Sequence, residues 1–514
     1  MIVPSLKTTT TRALLALLVA ASAAVAAAQE QSQRHSAQPP GHERPDQHES
    51  GARESVLRLL PADSVTEHTV ELAGGKLAYT ATAGTFSLLD QSGERSAAVY
   101  YTAYVAQGTD TRRPITFGFN GGPGAASAYL TLGLVGPRVA DFTGNDPTAT
   151  RLRDNPQTWL AFTDLIMIDA VGTGWSRPAK SDGGKPFYGV SGDAEALAKV
   201  IALYVAKNGR GDSPKYILGE SYGGFRAAKV AQTLRHQQGM TVSGIIMLSP
   251  LIDGGLTFGS GRSALGAALR LPSLAAAELE RKGTFSKDAL GEAERFALTD
   301  YLTTLAGPPP QDEAARYFYT RVAHMTGLPE ETVAKSRGFI RDGYIKHLRS
   351  AEGKIVSHYD ATFAVPDPFP EQDSARGPDP LLDGLTRAYG ALFSSYARDE
   401  LGFKTEMTYI LLSSDIAGKW DWGQGSGRSS ASVSDDVREL LALVPSFRLL
   451  IAHGYSDMVT PYAVSRYVLD HLPPIGEPGR TTLALYRGGH MFYIDPQSRQ
   501  AFSADAKAYY QAAQ

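Results

Sequence analysis

The chain has 514 residues, 43% hydrophobic, 20% charged and 9% aromatic, with 52 Gly, 30 Pro and a formal charge of −3. Such a composition belongs to a globular protein with ample core, and without an excess of Lys or Arg it argues against nucleic acid as a partner. The absence of Cys excludes disulfides, Cys-ligated zinc, iron–sulfur clusters and thiol catalysis.

Lys7 and Arg12 precede an uncharged apolar run from Ala13 to Ala28 that ends Ala26-Ala27-Ala28. A basic start, a short apolar run and a small-residue terminus read as a secretory signal peptide over 1–28, and the Ala-rich run is shorter than a membrane span. The expectation is export, to the periplasm or beyond, with no membrane span after the signal is removed. Residues 29–55 are polar and almost free of large apolar side chains. They read as a disordered lead-in that cannot offset its own ordering entropy, and His35, His42 and His48 within it as scattered tail histidines.

From Val65 to Gln107 two β-rich runs alternate apolar and polar residues around Gly74-Gly75, predicting an antiparallel meander. Short apolar runs then appear at Ile115–Phe119, Leu165–Asp169, Tyr216–Leu218 and Ile245–Leu248, separated by helical stretches such as "DAEALAKVIALYVAKNG" and "FRAAKVAQTLRHQQG". Buried strands alternating with amphipathic helices predict an α/β domain with a mostly parallel central sheet flanked by helices. Between Asp253 and Phe403 the pattern turns helical, as in "LPSLAAAELERKG" and "DPLLDGLTRAYGALFSSYARDELGF", before strand runs resume at Phe447–Ala452 and Thr482–Tyr486. The expected organisation is a catalytic domain over 56–252 and 404–514, interrupted by a helical cap insertion over 253–403.

Four loops, each after a predicted strand, carry the chemistry. Gly219-Glu220-Ser221-Tyr222-Gly223 lies between a strand and a helix. As a bare pattern G-x-S-x-G recurs by chance; in this context it is a nucleophile elbow, whose tight turn lifts Ser221 above the sheet. A serine hydroxyl needs a base, and the base an orienting carboxylate. Asp457 and His490, each just past a later strand, follow in the order serine, acid, histidine. Taken singly, Asp457 could be a turn or helix-capping carboxylate, and His490 an ordinary loop histidine. His453 precedes the acid, which breaks the order, and reads as structural. Asn120-Gly121-Gly122-Pro123-Gly124 can bring backbone N–H groups to a developing oxyanion, with the Tyr222 N–H as second donor. Neither phosphate-loop pattern is present. No set of residues has recognisable metal-ligand spacing, so no metal and no cofactor are expected.

Together "NGGPG", "DAVGTGWS", "GESYGG", the Asp of "HGYSDMVTPY" and "GGHM" resemble the serine carboxypeptidases, from about Phe117 to Phe492 and in the right order. The resemblance implies an α/β-hydrolase fold and peptide substrates. By it Ser221, Asp457 and His490 form the catalytic triad, and Gly122 and Tyr222 the oxyanion hole. It assigns Asn120 and Glu220 to the substrate's terminal carboxylate. Two carboxyl groups share a hydrogen bond only when one is protonated, so such a peptidase should favour acidic pH. In isolation Glu220 could instead be a carboxylate at a helix N-terminus. An esterase or acyltransferase using the same triad is the alternative. The chain departs from the family in carrying Ala125 where many members have Cys, and Arg177 where Tyr is common. Its active-site loops are therefore expected to be held by packing alone.

Overall fold

The structure, a computed structural model, describes residues 56–512 apart from 109, 111, 143–149 and 424–426. The expected signal segment 1–28 and lead-in 29–55 lie outside the described residues. Strands β1 (Ser64–Leu72), β2 (Gly75–Leu89) and β3 (Arg95–Ala106) form the antiparallel meander that their alternation predicts. Next come β4 (Ile115–Phe119), a hairpin of β5 (Arg138–Asp141) and β6 (Arg151–Asp154), then β7 (Asp164–Ile168) and the two-residue β8 (Arg177–Pro178). Helix α1 (Val190–Lys207) leads to β9 (Lys215–Glu220), and α2 (Tyr222–Gln237) to β10 (Gly244–Leu248). The helical region holds α3 (Ala264–Arg281), α4 (Lys287–Phe296), α5 (Asp312–Thr326), a hairpin of β11 (Lys354–Val356) and β12 (Ala364–Pro366), and α6 (Pro380–Asp399). The chain then runs through α7 (Ser434–Leu443), β13 (Arg448–Gly454), α8 (Tyr462–Asp470), β14 (Thr481–Tyr486) and α9 (Pro496–Gln511).

Ten strands make one sheet in the order β1-β2-β3-β7-β4-β9-β10-β13-β14, with β8 on β3. From β7 to β14 every pairing is parallel. The carboxyl ends of β4, β9, β13 and β14 therefore open at one edge, and all four predicted functional loops leave from it. Both faces of β4, β7, β9, β10 and most of β13 are buried, which explains their apolar runs, whereas β14 at the sheet edge is only partly buried. Ile217, Ile245, Met247, Leu449 and Ile451 face one core layer with α1, α2, α7 and α8. Their neighbours Leu218, Ile246, Leu248, Leu450 and Ala452 face the other, with α6 and α9.

The helical region differs from expectation in three ways. Helix α3 begins at Ala264 behind the Ser263 cap, so Pro272 sits inside the helix, where a proline in sequence suggests a start. The helix-period segment "DALGEAERFALTDYLTTLAG", which reads as one helix in the sequence, is broken by a π-turn at Ala297–Tyr301. Helix α6, expected in the cap, packs its Leu385, Tyr389, Phe393 and Tyr396 into the core layer of Tyr100, Leu130 and Trp175. A separate cluster of Leu271, Leu274, Phe296, Tyr301, Val322 and Tyr344 is the cap's own core. In packing, the insertion thus ends before α6. An amphipathic stripe shows that a helix is half-buried, not which layer it covers. Among the described residues no helix is long and apolar enough to cross a membrane.

Candidate active site

Ser221 connects β9 to α2 with φ 62° and ψ −125°, a conformation that L-residues rarely adopt. Its backbone is fixed on both sides: the N–H donates to Leu248 O (2.9 Å), and the carbonyl accepts from Gly224 N (3.0 Å) and Leu251 N (3.0 Å). The turn needs bare backbone around it. A Cβ on Gly121 would lie 2.5 Å from Tyr222 N and 2.6 Å from Glu220 O, so the oxyanion loop fits the elbow only as glycine. The Gly122 and Tyr222 N–H groups have no hydrogen-bond partner among the described residues.

His490 Nδ1 donates to Asp457 Oδ2 at 2.9 Å, and both side chains are buried. The Asp457 carboxylate divides its work between its oxygens. Oδ1 accepts from Val459 N (2.8 Å) and Thr460 N (3.1 Å), whereas Oδ2 accepts from Thr460 Oγ1 (2.8 Å) and faces His490. One oxygen thus holds the turn while the other faces the imidazole. Burial pushes the Asp457 pKa up, but His490 and these hydrogen bonds outweigh it and hold the carboxyl below its ordinary value. Burial pulls the His490 pKa down, and the Asp457 carboxylate outweighs that, leaving it raised. The imidazole backbone is set by His490 N donating to Tyr359 O (2.6 Å) and by Ser249 Oγ donating to His490 O (2.8 Å). Thr460, Ser249 and Tyr359 escape sequence reasoning; only the D-x-x-T spacing of Asp457 and Thr460 carries a signal, that of a side-chain turn. His453 bonds Ser465 Oγ (2.8 Å) and lies 4.0 Å from Asp457. Burial pulls its pKa down to about 4, so it stays neutral, consistent with a structural role.

Ser221, His490, Gly122, Tyr222, Asn120 and Glu220 all line one cavity, with Asp457 behind His490. No hydrogen bond joins Ser221 to His490 in this unliganded geometry; such bonds often tighten only around substrate. Asn120 Nδ2 donates to Glu220 Oε2 (2.5 Å), Tyr493 Oη donates to the same oxygen (2.9 Å), and Leu130 N anchors Asn120 Oδ1 (3.2 Å). Both donors take Oε2, leaving Oε1 for the cavity. Glu220 is the last residue of β9, not part of the helix, and burial raises its pKa to about 7 against the opposing pull of His490, Tyr493 and Asn120. Tyr493 reaches Glu220 from a turn after His490, and no sequence pattern announces it.

The departures Ala125 and Arg177 have structural answers. Ala125 pairs with Leu412 in an antiparallel bridge, Ala126 N donates to Leu411 O (2.8 Å) and Ser413 N to Gly124 O (2.9 Å). The loop of Asn120–Gly124 is therefore held by backbone hydrogen bonds as well as packing, which corrects the expectation of packing alone. Arg177 donates to the carbonyls of Gly174, Ser176 and Thr408 and ties the "DAVGTGWS" loop to the same strap. Among the described residues no cluster of three His, Asp or Glu side chains could hold a metal ion.

Sheet order and elbow define the α/β-hydrolase fold. The crystal structure of Kex1(Δ)p, a prohormone-processing carboxypeptidase from Saccharomyces cerevisiae, matches it with a TM-score of 0.53 at 14% identity, over 89% of this chain and 95% of that one. Within that fold, residues 81–258 match the family model of the serine carboxypeptidases, so this stretch is similar to that family. The match takes in Asn120, Gly122, Glu220, Ser221 and Tyr222, whereas Asp457 and His490 lie beyond it. Serine carboxypeptidase-like 51 of Arabidopsis thaliana is 32% identical over 136 residues, 26% of this chain and 27% of that protein. Serine carboxypeptidase-like 35 of the same plant is 27% identical over 143 residues, 27% of this chain and 29% of that protein. The chain thus matches little more than a quarter of the length of either relative.

Proposed function

We propose that this protein is an exported serine carboxypeptidase that removes the C-terminal residue of peptides through an acyl-enzyme. Ser221 Oγ attacks the carbonyl of the last peptide bond while His490 Nε2 takes its proton; the imidazolium returns it to the departing amine. Water then enters by the reverse sequence, and the acyl group leaves as a free acid. Asp457 fixes the imidazole tautomer, and the Gly122 and Tyr222 N–H groups receive the oxyanion.

The observation that carries a carboxypeptidase rather than a general esterase is the Asn120–Glu220 pair in the wall of the Ser221 cavity. With Glu220 raised to about 7, the carboxyl is protonated at acidic pH, and Oε1 can donate to a substrate carboxylate. Burial raises that pKa, Asp457 adds to it, and His490, Tyr493 and Asn120 oppose it, with Tyr129, Tyr359 and Tyr389 as further neighbours. Above about pH 7 the two carboxylates repel, so KM for a peptide acid should rise from pH 5 to pH 8. Export rests on the Lys7-to-Ala28 pattern, and a mature protein whose N-terminus is Gln29 would bear it out.

The test is cleavage of an N-blocked dipeptide acid alongside covalent labelling by a fluorophosphonate. Wild type should label and cleave the acid far faster than its C-terminal amide, and Ser221→Ala should do neither. Rapid turnover of simple esters with the dipeptide acid inert would select the esterase or acyltransferase instead.

A further inference from the structure

The cavity that holds Asn120 and Glu220 also carries a cation that the proposed reaction does not use. Arg428 lines the same cavity as Ser221, together with Leu251 and Phe258. Its guanidinium carbon stands 3.7 Å from the centroid of the Phe258 ring. Among the described residues it has neither a carboxylate partner nor a side-chain hydrogen bond. An arginine on a surface loop ordinarily samples many rotamers, but the backbone here is pinned. Asp253 and Ser432 form an antiparallel bridge, Gly254 N donates to Ala431 O (2.6 Å) and Val433 N to Ile252 O (3.1 Å). A Cβ on Gly254 would collide with the Arg428 carbonyl, so the two segments touch through bare backbone. Phe258 is placed in turn by a short helix, Gly254–Phe258, that Asp253 caps through Leu256 N (2.9 Å).

The placement gives the cation a side. Leu251 N bonds the carbonyl of Ser221 itself, and Leu251, Phe258 and Arg428 belong to the chain after β10 and its partner segment. Asn120, Tyr129 and Met491 line the same cavity from the loops after β4 and β14. A peptide whose terminal carboxylate lies at Asn120–Glu220 and whose last carbonyl lies at Ser221 directs its preceding residue toward the Phe258–Arg428 wall. Glu220, the one carboxylic acid in the lining, is protonated at acidic pH, so nothing in the wall neutralises the guanidinium. A planar guanidinium stacked on an aromatic ring presents its fork edge-on, the geometry that receives a carboxylate with two hydrogen bonds.

We propose that Arg428 is a specificity residue for the acyl side of the scissile bond, and that it selects peptides whose penultimate residue is Asp or Glu. This rests on the carboxypeptidase reading above, and the test separates the two. N-blocked dipeptides with Glu, Gln, Leu or Lys before a C-terminal Ala are compared at one acidic pH where Glu is ionised. Wild type should favour Glu, and Arg428→Gln should lower kcat/KM for the Glu substrate by about tenfold while the Leu substrate stays within about twofold. Arg428→Glu should invert the order between Glu and Lys. Fluorophosphonate labelling of Ser221 in each variant shows that it is folded. An unchanged Glu-to-Leu ratio in a labelled Arg428→Gln would overturn the proposal. So would an equal loss on every acid with a reduced preference for acid over amide, which would place the terminal carboxylate on Arg428. Four inert peptides with normal labelling would instead overturn the carboxypeptidase reading, and this inference with it.

Discussion

Glu220 shows what a buried carboxyl costs and does at once. Its unfolded pKa lies near 4.5 and its folded value near 7, so between these pH values the native state holds a proton that the unfolded chain has lost. Stability is therefore undiminished below about pH 4.5 and falls as pH rises to about 7, by on the order of 3 kcal/mol in all. Gln cannot ionise and still accepts from Asn120 and Tyr493. Urea midpoints of wild type and Glu220→Gln should thus converge near pH 4.5, with the variant the more stable at pH 7.5. Parallel curves at both pH values would mean that Glu220 ionises freely in the fold. The same substitution should flatten the rise of KM for a peptide acid between pH 5 and pH 8. At this scale the sequence shows the residues whose identity is chemical and whose neighbours are adjacent in the chain, as with Ser221 and its glycines. Tyr493 and Ser249 were illegible because each acts across the sheet edge, through a contact that only the register of β10, β13 and β14 creates.

The elements around the elbow are joined by one buried cation. Arg226 on α2 pairs with Asp193 on α1 (2.6 Å), both almost wholly buried, and also donates to the Asn120 carbonyl. Helix, neighbouring helix and oxyanion loop share this guanidinium. Removing it leaves Asp193, whose pKa burial already raises, without its counter-charge. Arg226→Met should cost about 3–5 kcal/mol in chemical denaturation, and Arg226→Met with Asp193→Leu should recover most of that loss. A single-variant loss below about 1 kcal/mol would show that the pair is solvated after all. Element by element, the strands were legible because parallel strands buried on both faces leave no polar alternation to confuse with a surface strand. Assignment of α6 failed for the opposite reason: its stripe of Leu385, Tyr389, Phe393 and Tyr396 is equally suited to the cap or to the sheet. The β5–β6 and β11–β12 hairpins went unseen because strands of three or four residues carry too little periodicity to register.

Across the whole molecule, the cap is bound to the Asp457 turn rather than hinged over it. Met458, the residue after Asp457, buries its side chain in the cap core with Leu271, Leu274 and Tyr301. Its N–H donates to His358 O (3.2 Å), and its carbonyl accepts from the guanidinium of Arg270 on α3. Arg270 is itself buried, has only backbone carbonyls as hydrogen-bond partners among the described residues, and has its pKa pulled down to about 10 by that burial. Lifting the cap would expose Met458, strand this cation and release the turn that orients Asp457. The cap core and the Asp457 turn should therefore open as one unit. In native-state hydrogen exchange the Met458 amide and the buried amides of α3 should share one opening free energy. Met458→Ala should lower both together, with a global cost of about 2–5 kcal/mol. Fast exchange throughout α3 beside a still protected Met458 amide would instead describe a lid that moves alone. The insertion was visible in the sequence as an interruption of the strand–helix alternation, but its attachment was not. That attachment depends on a methionine and an arginine far apart in the chain, neither of which carries a motif.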